Sequence, residues 1–80
     1  MSHRALRDII DKAVADYGFR LAVMHGVEDV IAASDLSEKE ADALRDVVVP
    51  ELKELPDPVE PADRPSVQAR LADLAFRGAG

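Results

Sequence analysis

The sequence predicts an all-α protein: a small bundle of four or five short helices, a Pro-rich acidic linker and a C-terminal amphipathic helix. Three observations carry that expectation. Apolar residues recur at spacings of three and four from Leu6 onward, which places them on one face of a helix. Ser37 and Glu40 stand three apart just before another such run, the reciprocal pairing that starts a helix. Four of the 5 prolines fall between residues 56 and 65 with acids among them, a composition that resists regular hydrogen-bonded structure.

The first helix is predicted from Leu6, Ile9, Ile10, Ala13, Val14 and Tyr17 on one face, with Arg7, Asp8, Asp11, Lys12 and Asp16 on the other. Ser2 is its candidate N-cap, Gly18 its stop, and Asp8 with Lys12 a favourable i,i+4 pair. The apolar run Phe19, Leu21, Ala22, Val23, Met24 predicts a second short helix, or an extension of the first past Gly18. Gly26 separates it from a third, Val27 to Ala33, whose Glu28 and Asp29 suit the positive end of a helix dipole.

Ser37 and Glu40 then open a helix through a capping box, with Leu36 and Ala41 at the hydrophobic-staple positions. Ala41, Leu44, Val47 and Val48 form its apolar face. Pro50 lacks an N–H and clashes one turn back, so the helix is expected to stop near Val48 and Pro50 to open a further turn holding Leu52 and Leu55. PDPVEPADRP, residues 56–65, reads as an extended, stiff spacer. Ser66 is the expected cap of a final amphipathic helix carrying Val67, Leu71, Leu74 and Ala75. The organisation is thus a helical domain (1–55), a linker (56–65) and a tail (66–80).

Eighty residues allow one domain, and a chain of this size buries only roughly 60–65% of its unfolded surface. Without cysteine there is neither a disulfide nor a thiolate metal site, leaving self-association or partner docking as aids to stability. The net charge of −6 is uneven. Residues 1–27 balance to +1, residues 28–63 to −9 and residues 64–80 to +2. An acidic middle with few aromatics disfavours nucleic acid, and no apolar run reaches the ~18 residues that suggest a membrane span. MSHRALRDIID turns acidic where a signal peptide needs an apolar core. Together with the missing cysteines, this fits a cytoplasmic location.

Catalytic signals are sparse. His25, Glu28 and Asp29 form an H-x-x-E-D cluster with too few ligands for a metal, and Gly26 interrupts the helical alignment. No G-x-S-x-G elbow or G-x-x-x-x-G-K loop occurs. No metal, cofactor or catalytic residue is therefore expected. Binding is better supplied with candidates. Phe19, Leu21, Val23 and Met24 bring more apolar surface than two short helices need, making Phe19 and Met24 candidate contacts. A lone helix of about twelve residues is marginal in water, so the tail either completes its own core or docks in a partner's groove. In the second case Val67, Leu71 and Leu74 are the anchors, flanked by Arg70 and Arg77.

The stretch YGFRLAVMHGVEDVIAASDLSEKEADALRDVVVPEL resembles the small helical α-subunit domain of protocatechuate-type extradiol dioxygenases. It is similar too to recognition regions of ribosomal peptide precursors. In both, a helix opening with leucine, serine or threonine, acids and then alanine-leucine follows a short segment that usually holds Asp-Pro. His25-Gly26-Val27-Glu28 stands where that Asp-Pro would be, a departure from the pattern. The first family implies a subunit that covers another chain's active site without contributing metal ligands. The second implies a domain gripped by a modifying enzyme, with the linker as spacer and the tail as substrate, although the tail offers only Ser66 to chemistries acting on Cys, Ser or Thr. The expected function is a non-catalytic protein-interaction module, an adaptor or recognition domain for a larger enzyme. Accessory subunit and structural homodimer are the alternatives.

Overall fold

The computed structural model describes residues 4–55 and 59–79, with backbone alone at 78 and 79. The described elements are all helical: α1 (Arg4–Ala15), α2 (Tyr17–His25), α3 (Val27–Ala33), α4 (Glu38–Ala43), a π turn (Leu44–Val48), α5 (Val49–Leu52) and α6 (Arg64–Ala79). Since α4, the π turn and α5 run on without a break, they form one rod, and the described residues make a bundle of five helical rods. The predicted fold class is what the chain adopts.

The apolar face of α1 does what its spacing requires: Leu6, Ile9, Ile10, Ala13 and Val14 are all buried. Tyr17 does not belong to that face. The helix ends at Ala15, and Asp16 leaves helical geometry to cap α2, its carboxylate accepting from the Phe19 N–H at 3.2 Å. Tyr17 therefore begins a new helix and is 41% exposed, while Gly18 lies in the first turn of α2 rather than ending α1. Asp16 is a better stop than Gly18 because its side chain satisfies an otherwise unpaired donor of the next helix. Lys12 lies over the Phe19 ring at 4.7 Å, and a described ion pair of α1 is Arg7 with Asp11 at 2.9 Å, in place of the expected Asp8–Lys12. The expected Ser2 cap lies outside the described residues.

The capping box is present in full. Ser37 Oγ accepts from the Glu40 N–H at 3.1 Å, and Glu40 Oε1 accepts from the Ser37 N–H at 2.9 Å. The expected stop at Val48 is not. The rod continues to Leu52, because a π turn widens it just ahead of Pro50: the Val49 N–H bonds back to the Leu44 carbonyl, five residues away. A wider turn gives the proline ring room where an α turn would press it on a carbonyl. Side chains four apart drift by about 40° per step in an α-helix, and the underwound π turn counters that drift. Leu44, Val48 and Leu52 all stay buried. Leu55 lies beyond the helix and is half-buried.

The described part of the expected spacer, residues 59–65, is not extended throughout, and its last two residues belong to α6. Residues 61–63 form a turn, with the Asp63 N–H donating to the Glu60 carbonyl at 2.8 Å, and Val59 is buried in the core. Residues 56–58 lie outside the described part. α6 starts at Arg64, two residues before Ser66. Pro65 suits the first turn because its missing N–H has no helical acceptor to lose there, so Ser66 lies within the helix and is not its cap.

Candidate partner-binding surface

α6 packs on α1, α4 and the π turn. Leu71, Ala72 and Ala75 enter the same cluster as Leu6, Ile10, Leu44 and Val48. One hydrogen bond ties the helix to α1, Gln68 Nε2 donating to the Asp11 carbonyl at 3.0 Å, and Arg70 Nη2 lies 3.8 Å from Glu51 Oε1 in a loose, solvent-exposed pair that adds little. The stretches set apart in sequence as domain and tail share one core, and the C-terminal helix closes its own bundle.

That closure sorts the predicted contact residues. Leu71 is wholly buried and has nothing left for a partner, because the face at 71, 72 and 75 is already covered by α1 and α4. Val67 and Leu74 are half-buried, and Arg70 and Arg77 are exposed. The spacing 67, 70, 74, 77 runs three, four, three, which places the four on one edge of α6. Along that edge, two part-covered aliphatic side chains alternate with two guanidinium groups. Arg77 holds Asp73 at 2.9 Å on the same helix, with 73% of its side chain exposed. Phe19 and Met24 belong to α2 and are half-buried margins of the core, so the seven candidates divide between two helices.

Around α2 and α3 the structure adds groups that the sequence did not reveal. Arg20 is 2% exposed, with Nε donating to the Ala13 carbonyl at 3.0 Å and Nη2 to the Val14 carbonyl at 3.1 Å. Its guanidinium thereby caps the end of α1. A lone arginine inside the apolar run FRLAVM was the available signal. Arg45 forks onto Glu28, Nε to Oε2 at 2.5 Å and Nη2 to Oε1 at 2.9 Å, while Nη1 holds Asp42 at 2.9 Å. This hydrogen-bonded partner holds the Glu28 carboxyl below its ordinary value and raises the Arg45 guanidinium above its own. Seventeen residues separate the pair, so no local spacing could announce it.

His25 is exposed, and Glu28 of the H-x-x-E-D cluster is engaged by Arg45. Among the described residues no group of three or more His, Asp or Glu side chains converges as metal ligands would. An open depression lined by Arg4, Ala5, Asp8 and Asp35 brings two carboxylates and a guanidinium to the surface. No described helix is long and apolar enough to cross a membrane.

Fold and surface define a small all-α bundle with a part-covered apolar and cationic edge. Neither a model of a known protein family, nor a curated protein, nor a solved structure matches the chain.

Proposed function

We propose that this chain is a non-catalytic protein-interaction module, an adaptor or recognition domain for a larger protein such as an enzyme, and that it engages its partner through one edge of α6. The observation that carries this reading is the stripe Val67, Arg70, Leu74, Arg77, left part-open beside a fully buried face. Aliphatic side chains at the margin supply area, and flanking guanidinium groups select a partner surface bearing carboxylates. The acidic charge lies in residues 28–63, which balance to −9 and would repel such a partner there, so charge favours the α6 edge over the middle of the chain.

An accessory subunit seated on an enzyme uses the same edge and leaves the bundle intact. A substrate-tail role, the other form of the resemblance, requires Leu71, Ala72 and Ala75 to leave the core first. The intact bundle therefore favours the adaptor or accessory form.

The test places a photoreactive side chain at position 74 in the full chain expressed in its native cells, with and without R70E/R77E. A crosslink to one protein, lost in the double variant while its melting temperature stays within a few degrees, supports the reading. A crosslink that survives the charge reversal, or no crosslink from position 74 in either version of the chain, overturns it. Crosslinking to a second copy would assign the edge to a homodimer instead.

A further inference from the structure

α3 is held differently from every other described helix. It has seven residues and none of them is fully buried, whereas each of the other helices contributes at least one buried side chain. Val27, Val30 and Ile31 line its inner face and reach only the margin of the core. Its packing is chiefly on its neighbour α2, and Gly26 joins the two as C-cap of one and N-cap of the other. No side chain caps the N-terminus of α3. The described polar link from α3 to the distant rod is the Glu28–Arg45 fork.

We propose that α3 is a latched flap: a segment hinged at Gly26, closed over the α2 side of the core by the Glu28–Arg45 fork, and able to open while the remaining helices stay folded. This stands whether or not the α6 edge binds a partner. Segments with little buried apolar area and solvent-facing backbone bonds open locally, well below the free energy of global unfolding. Releasing α3 uncovers its own Val27, Val30 and Ile31, three aliphatic side chains that closure keeps half out of water. The loss is small beside unfolding the 71–75 face of α6, whose removal opens the centre of the bundle. The fork is a suitable latch because both partners lie at the surface, Arg45 37% and Glu28 66% exposed. A surface pair is weak enough to break reversibly and sensitive to salt.

The experiment is residue-resolved amide hydrogen exchange on the full-length chain and on its Glu28→Gln and Arg45→Lys variants. In the parent, residues 27–33 exchange faster than the centres of α1 and α6. Glu28→Gln raises exchange over 27–33 by about two- to five-fold, the range set by a surface ion pair, and leaves α1 and α6 unchanged. Arg45→Lys, which keeps the charge but loses the fork, gives a smaller rise in the same segment. Salt at about 1 M, which shortens screening to ~3 Å, accelerates 27–33 in the parent and has little further effect in Glu28→Gln. Equal protection of α3 and α1 in the parent would overturn the proposal, as would a Glu28→Gln effect that is absent or spread evenly over all helices.

Discussion

At Arg20 a cation lies almost wholly out of water and is held there by oxygen. Its guanidinium meets the Ala13 and Val14 carbonyls, which belong to the last turn of α1 and carry the negative end of that helix's dipole. The Tyr17 ring lies 5.4 Å from its Cζ, adding a cation–π contact. Removing the donors would leave two acceptors without these partners, in a site where water has little access. Arg20→Met, which keeps much of the length, is therefore expected to destabilise the fold by about 1.5–3 kcal/mol, read as a lower urea midpoint with an unchanged slope. Arg20→Lys retains the charge but cannot span both carbonyls, and its midpoint should fall between those of the parent and Arg20→Met.

Among the elements, the rod from Glu38 to Leu52 shows two kinds of local control. Its start is set by reciprocal hydrogen bonds between Ser37 and Glu40, so Ser37→Ala should lower stability by about 1 kcal/mol, measured by the same urea titration. Its middle is set by Pro50, whose ring is accommodated by widening one turn rather than ending the helix. α3 depends on the fork to Arg45, around which Asp42 and Asp46 also gather. The Glu28 carboxyl is held below its ordinary value, chiefly by its hydrogen bond to Arg45, so its contribution is complete above the ordinary glutamate value of 4.5. The contribution fades as pH falls through the lowered value, because the folded state must then take up a proton against Arg45. Exchange over 27–33 should thus rise, relative to α1 and after correction for intrinsic rates, as pH drops below about that point. Glu28→Gln should lack this added rise.

For the whole molecule the decisive contact is α6 with α1 and the rod. A chain ending at Leu55 loses Val59, Leu71, Ala72 and Ala75 from the core. Leu71 and Val59 alone bring roughly 1.5–3 kcal/mol each of burial, against a stability that in so small a domain is a few kcal/mol. The truncated chain should lose its cooperative melting transition by circular dichroism. A retained transition would mean that residues 4–55 hold together alone.

Much of the architecture was legible because helices announce themselves over short distances. The apolar set of α1 from Leu6 to Val14, the Ser37–Glu40 box and the apolar set Val67, Leu71, Leu74 and Ala75 of the last helix all follow from the 3.6-residue period and from hydrogen bonds spanning three or four residues. Even some errors were local: Asp16, not Gly18, divides α1 from α2, since a side chain able to accept from the next helix outweighs mere flexibility. Other features depended on distances between elements, which no spacing encodes. The sequence by itself determined an all-α chain, its main helical faces and the uneven charge along it. Only the tertiary structure decided that the last helix closes its own bundle, that Leu71 is therefore spent in the core, and that Arg45 reaches Glu28 seventeen residues away. Local bonds form within one turn, whereas burial and long-range pairing exist only once separate helices have met.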